Sequence, residues 1–189
     1  MGNAKTRKTA ASIRHMQILE KRPNLVLRGK EPPKFIADVM LGRLAKWLRI
    51  AGFDAVYSNT SSDDELVAIS NREERILLSR DTRLLIRKSV KRFIFLESQD
   101  IQAQIMQVFK ATHVSALPLS LTRCLACNEA LVESKRESVR RSVPAYVYAT
   151  QSRFSSCPKC GGVFWAGTHR KSVIKTLDML LTKIVENRV

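Results

Sequence analysis

The chain has 189 residues and a mass of 21.4 kDa, enough for one sizeable core or two small ones. Charged residues at 26% and hydrophobic ones at 44% exclude a disordered or collagen-like chain. The longest apolar run, around Val173 to Val185, is broken by Lys175, Asp178 and Lys183, so no stretch approaches the roughly 18 residues of a spanning helix and a transmembrane protein is excluded. Thirty-three Lys and Arg against seventeen Asp and Glu leave +16, a balance that favours a polyanionic partner or an anionic surface.

Residues 1–34 carry nine basic and two acidic side chains, residues 35–123 thirteen and ten, and residues 124–189 eleven and five. Two basic flanks therefore enclose a nearly balanced middle. The first flank predicts a short amphipathic helix from about Ala10 to Lys21, with Ile13, Met16 or Gln17 and Leu19 to Glu20 near one stripe, and Pro32-Pro33 ends the segment. It lacks the apolar core of a secretory signal, so a cytoplasmic setting is expected, although a mitochondrial transit peptide shares the Arg-rich, acid-poor composition.

From residue 35 to residue 112 strands and helices alternate. Phe35-Ile36-Ala37 reads as a strand ending at Asp38, and Met40, Leu41, Leu44, Trp47, Leu48 and Ala51 recur at helical spacing up to a capping Gly52. Ala55-Val56-Tyr57 is a second strand. Ser62 to Glu65 forms a capping box that opens a helix with Leu66, Ile69 and Ala68 toward the core. Arg75 to Ser79 is the third strand and a helix covers about Arg83 to Lys88. Phe93 to Leu96 is the fourth strand, and a helix runs from Ile101 to Ala111. This order implies a parallel sheet between helices, joined by right-handed crossovers. The tail from Ser172 carries Val173, Leu177, Leu180, Leu181, Ile184 and Val185 on one side of a closing helix.

In such a sheet ligands gather beyond the carboxyl ends of the strands. Asp38, Asp81 and Glu97 or Asp100 stand there, with Asp63, Asp64 and Glu65 at the helix after the second strand. Each acid alone has a structural explanation as a helix cap. Together they would repel one another unless a hard cation such as Mg²⁺ or Mn²⁺ relieved the crowding and activated water against a phosphodiester.

Four cysteines form two Cys-x-x-Cys pairs, Cys124/Cys127 and Cys157/Cys160, separated by 29 residues. Four thiolates at this spacing suit a closed, tetrahedral structural zinc site better than a redox dithiol, paired disulfides or an iron–sulfur cluster. Leu131–Val132 and Ala145–Tyr148 are expected to pair as a hairpin in the long spacer. Tyr146, Tyr148, Phe154, Phe164 and Trp165 are expected mostly to fill a small core, with base stacking as the alternative. Lys135, Arg136, Arg140 and Arg141 make the spacer basic, and with His169 they are candidates for RNA contact.

Phe35 to Asp54, Arg75 to Asp81, Arg123 to Asn128, Cys157 to Gly161 and Phe164 to His169 together resemble the Mut-seven carboxy-terminal ribonuclease family. The resemblance implies a PIN-like αβα sandwich over residues 34–118, a zinc ribbon over 119–170 and a terminal helix over 171–189. A basic extension over 1–33 lies outside it. It further implies a metal-dependent ribonuclease whose acids are Asp38, Asp64, Asp81 and Asp100, with Asp38 and Asp81 as metal ligands, Arg80 beside the RNA, and cofactors Zn²⁺ and Mg²⁺ or Mn²⁺. Ser79 stands where that family often has Thr, and Arg170 where it tends to have an aromatic residue. Two rival expectations are an RNA-binding module that retains the fold without catalysis and a ribbon that docks on a ribosome or another RNA–protein complex.

Overall fold

The computed structural model describes residues 10–20, 31–118 and 121–186. Strands β1 (Phe35–Ala37), β2 (Ala55–Tyr57), β3 (Ile76–Ser79) and β4 (Phe93–Phe95) form one parallel sheet in the order β2-β1-β3-β4. β1 and β3 are buried along their whole length and read as unbroken apolar runs ending in a small residue, as central parallel strands do. Phe35 pairs with Ala55 on one side and Ile76 on the other, which fixes the register.

Adjacent strand residues point to opposite faces, and two cores result. Phe35, Ala37 and Leu78 pack with helices α2 (Gly42–Ile50), α5 (Ile101–Ala111) and α7 (Thr168–Glu186) through Leu44, Leu48, Ile105, Phe109, Leu177 and Ile184. Ile36 and Leu77 pack on the other face with α3 (Asp63–Arg72), α4 (Thr82–Leu85) and the N-terminal helix α1 (Ala10–Glu20) through Leu66, Val67, Leu84, Leu85 and Leu19. The sheet thus lies between two helical layers, and α7, although it follows the cysteines in sequence, returns to the first core.

Several element ends differ from expectation for local reasons. Asp81 caps α4 by accepting a hydrogen bond from the Arg83 N–H, so that helix is one turn starting at Thr82 rather than a span from Arg83 to Lys88. In α3 the buried positions are Leu66, Val67 and Ser70, and Ala68 is exposed. The capping box is present: Ser62 Oγ accepts from the Glu65 N–H and Glu65 Oε2 from the Ser62 N–H. In α1 only Leu19 is buried among the described side chains, and Ile13 stays 48% exposed.

The cysteine half contains a three-stranded antiparallel sheet of β5 (Val132–Ser134), β6 (Phe154–Ser156) and β7 (Val163–Trp165). The expected hairpin within the spacer is not formed. β5 pairs instead with β6, and Ala145–Thr150 is a helix, α6, that starts directly after Pro144 at its N-cap, where the missing N–H costs no helical hydrogen bond. Among the five aromatics, Phe154 is buried with Val139 and Val147 and Trp165 packs against them, whereas Tyr146 is 71% exposed and does not join this core.

Candidate functional site

β2 leaves β1 on one side and β3 returns on the other, so the topological switch point lies between β1 and β3. Asp38 follows β1 and Asp81 follows β3, and Ser79, the last residue of β3, joins them. The Ser79 hydroxyl donates to Asp38 Oδ2 at 2.5 Å and accepts from the Asp81 N–H at 2.9 Å. Asp38 is only 5% exposed, and its side chain caps no helix although a 3₁₀ turn (Val39–Leu41) starts directly after it. Among the described residues its carboxylate has this single hydroxyl partner and no ion pair. A buried carboxylate without a cation beside it is costly.

The other two acids are engaged elsewhere. Asp64 is 93% exposed and bonds to Arg87 at 2.7 Å, while Asp63 takes the other arm of the same guanidinium, also at 2.7 Å. Asp100 is exposed and caps α5 by accepting from the Ala103 N–H at 2.9 Å. Among the described residues no three acids bring their oxygens within 4.8 Å of one another; Asp38 is linked to Asp81 only through Ser79 and the Asp81 backbone N–H, and the four acids are not gathered. Arg80, between Ser79 and Asp81, has a buried Nε with no hydrogen-bond partner among the described residues.

The four cysteines do converge. Their sulfurs lie within 4.8 Å of one another, and Cys124 and Cys160 are 3.7 Å apart. Four thiolates at about 2.3 Å from one zinc ion would be roughly 3.8 Å apart, so the set fits a metal of that size. The two knuckles are built alike. The Asn128 N–H donates to the Cys124 carbonyl and the Gly161 N–H to the Cys157 carbonyl, each at 2.9 Å, and both residues take a positive φ, 67° and 69°. Asn and Gly are the residues that tolerate this conformation. The Cys160 thiol, which the Gly162 backbone N–H favours as the anion, is lowered to about 7, whereas Cys127, hydrogen-bonded to Cys160, is pushed up to about 12. A metal would replace the protons these thiols share.

The first knuckle is fastened to the parallel sheet. Arg49 of α2, 3% exposed, donates Nε to the Ala55 carbonyl at 2.8 Å and Nη1 to the carbonyls of Leu125 and Ala126 at 2.7 and 3.0 Å. Asn128 accepts from the Ala55 N–H at 2.9 Å and donates to Asp54 at 2.7 Å, and Arg75 pairs with Asp54 at 2.5 Å. Burial weakens the charge on Arg49, and the nearby Cys124, Cys127 and Asp54 oppose that effect. Burial also works to raise the Asp54 carboxyl, but hydrogen bonds from Arg75 and Asn128 outweigh it and hold Asp54 below its ordinary value. No motif marks these residues as a unit. An Arg on the apolar stripe of α2 and an Asn directly after Cys127 are the only signals the sequence carries.

Because the folded-state value of Asp54 is depressed, its contribution to stability is complete above the ordinary carboxylate range and lost as pH falls through the folded value. Asp54→Asn is therefore expected to cost about 1–2 kcal/mol at neutral pH, because buried Arg75 loses its Asp54 partner and keeps only Glu73, at 2.7 Å, and the Phe35 carbonyl. The wild-type and variant curves should converge as pH drops below about 4. Urea unfolding across that range checks it, and a gap that stays constant with pH would contradict the assignment.

Lys135, Arg136, Arg140 and Arg141 are all exposed on the spacer. Arg136 lies 4.5 Å over the Tyr148 ring and donates to the Tyr148 carbonyl at 2.6 Å, and Arg140 lies 5.9 Å from the same ring. The His169 side chain lies outside the described part of the structure. No helix among the described residues is long and apolar enough to cross a membrane.

No curated protein and no solved structure matched the chain. The family model described as the Mut7-C RNAse domain matches residues 33–177, which takes in both acids of the switch point, the four cysteines and the docking network between them. The chain therefore belongs to the Mut7-C RNAse domain family.

Proposed function

We propose that the protein is a metal-dependent ribonuclease built on a PIN-like fold, with Asp38 and Asp81 at its acidic centre and a structural zinc ion on the four cysteines. The observation that carries this reading is the buried Asp38, joined to Asp81 through Ser79 at the switch point and lacking any cationic partner among the described residues. A divalent cation would supply the missing positive charge there, neutralising phosphate oxygens and promoting attack by water. Asp38 and Asp81 would hold it. Two carboxylates suffice for Mg²⁺ or Mn²⁺, which keep most of their waters.

The chain's own residues do the rest of the positioning. The Ser79 hydroxyl, by donating to Asp38, fixes which carboxylate oxygen remains open. The Asp81 carboxylate is held by the Arg83 N–H at the start of α4, so neither acid needs to reorganise. Arg80, next to Asp81 in the chain and in no ion pair among the described residues, would supply positive charge for a substrate phosphate. Asp64 and Asp100 lie beyond the same strand ends but are committed to Arg87 and to the α5 cap, and we assign them outer roles. The exposed cations of the spacer add salt-dependent affinity for the RNA backbone.

The direct test is cleavage of a labelled single-stranded RNA by purified protein, with chelator and then with Mn²⁺ or Mg²⁺ restored. Cleavage abolished by chelation and recovered on adding either ion is the expected result. Cleavage indifferent to the chelator would remove the divalent cation from the reading, and no cleavage under any condition would favour a non-catalytic RNA-binding module.

A further inference from the structure

Helix α1 lies outside the family match, which begins at residue 33, yet it packs against the acid edge. Leu19 is buried with Leu84 and Leu85 of α4. One turn earlier, His15 Nδ1 lies 3.3 Å from Thr82 Oγ1. Thr82 follows Asp81 directly, so their Cα atoms are about 3.8 Å apart. α1 therefore brings His15, and with it the exposed Arg14, to the rim of the site.

Three arginines belong to these segments: Arg14 on α1, Arg80 beside Asp81, and Arg83 on α4. Among the described residues none of them forms an ion pair, in contrast to Arg75, Arg87 and Arg92, which do. Leu19 is the one buried described side chain of this eleven-residue helix, and with the His15–Thr82 contact it gives a modest return against the entropy of ordering it. A polyanion bound across α1 and α4 would supply the remainder.

We propose that α1 is an RNA-binding element of the nuclease site, with Arg14 and His15 contacting backbone phosphates of the strand whose scissile bond lies at Asp38 and Asp81. The inference rests on the ribonuclease reading and extends it to a segment that the family model does not cover. α1 acts on substrate binding and leaves the chemical step to the acids.

The test uses the full chain. Binding of a fluorescent single-stranded RNA to Asp81→Asn protein is titrated at several salt concentrations, with and without Arg14→Ala and His15→Ala. The expected result is a three- to tenfold weaker affinity for the double variant and a salt slope shallower by about 0.7 for each phosphate that is no longer neutralised. In protein with an intact Asp81, the same changes should raise KM and leave kcat within about twofold, and Leu19→Asp, which undocks the helix, should reproduce them. Unchanged affinity and slope in Arg14→Ala/His15→Ala would overturn the proposal. So would a rise in kcat/KM for Leu19→Asp, because α1 would then cover the site. Failure of the wild type to cleave, with binding still dependent on Arg14, would count against the nuclease reading and in favour of the α1 contact.

Discussion

Asp38→Asn and Asp81→Asn are each expected to lower kcat/KM for RNA by at least about 100-fold, equivalent to about 2.7 kcal/mol of transition-state stabilisation. Neither change should unfold the protein. Asn can still accept the Ser79 hydroxyl at position 38, and removing a buried charge that has no cationic partner among the described residues should leave the melting temperature equal or higher. Asn is also among the best N-caps, so α4 should keep its start at position 81. Activity lost with stability kept or gained is the signature of a group held for chemistry. Asp64→Asn and Asp100→Asn serve as internal comparisons. One loses an exposed ion pair worth at most about 1 kcal/mol and the other keeps its cap, and each should cost less than about tenfold in rate. The measurement is steady-state cleavage beside a thermal melt for all four variants. Full activity in Asp38→Asn would remove the acid pair from the mechanism.

Removing metal from the cysteine site is expected to have the largest effect on stability. One zinc ion per chain should be found by elemental analysis, and a strong chelator or Cys157→Ser should lower the melting temperature by more than about 10 °C. The basis is the small size of the ribbon core. Val139, Val147 and Phe154 are its only buried apolar side chains apart from Cys124 and Cys157 among the described residues, too little apolar area to order three short strands alone. Trp165, packed against that core, should report the loss by a shift in fluorescence. The parallel sheet has its own two cores and should retain its helical signal. An unchanged melt after complete removal of metal would show that the cysteines pack without it.

The αβα layering and the placing of Asp38 and Asp81 at strand ends are legible because their signals are local and periodic. Phe35-Ile36-Ala37 followed by Asp38, and Ile76 to Ser79 followed by Asp81, mark strand ends without any tertiary information. The Cys-x-x-Cys spacing does the same for the metal site. Whether an acid beyond a strand end is a cap or a ligand is not legible, because both uses favour the same residue in the same place. Partners show which acids cap: Asp100 accepts from the Ala103 N–H and Asp81 from the Arg83 N–H, whereas Asp38 bonds across the sheet to Ser79 and caps nothing. Arg87, the partner of Asp64, is 23 residues away, a separation that no local pattern encodes. Ala145–Tyr148 reads as a hairpin strand because a short apolar run fits either period, and the helix Ala145–Thr150 takes its place. The contact between His15 and Thr82 spans 67 positions and has no sequence signature at all.

The fastening of the first knuckle also governs how chains behave toward one another. β2 is an outer strand, and at Ala55 both outward backbone groups are occupied, the N–H by Asn128 and the carbonyl by Arg49, which also holds the knuckle. Loosening that loop would bare a hydrogen-bonding rim onto which a strand from another molecule could zip. An ion on the four cysteines would thus serve solubility as well as folding, because it would keep this rim covered.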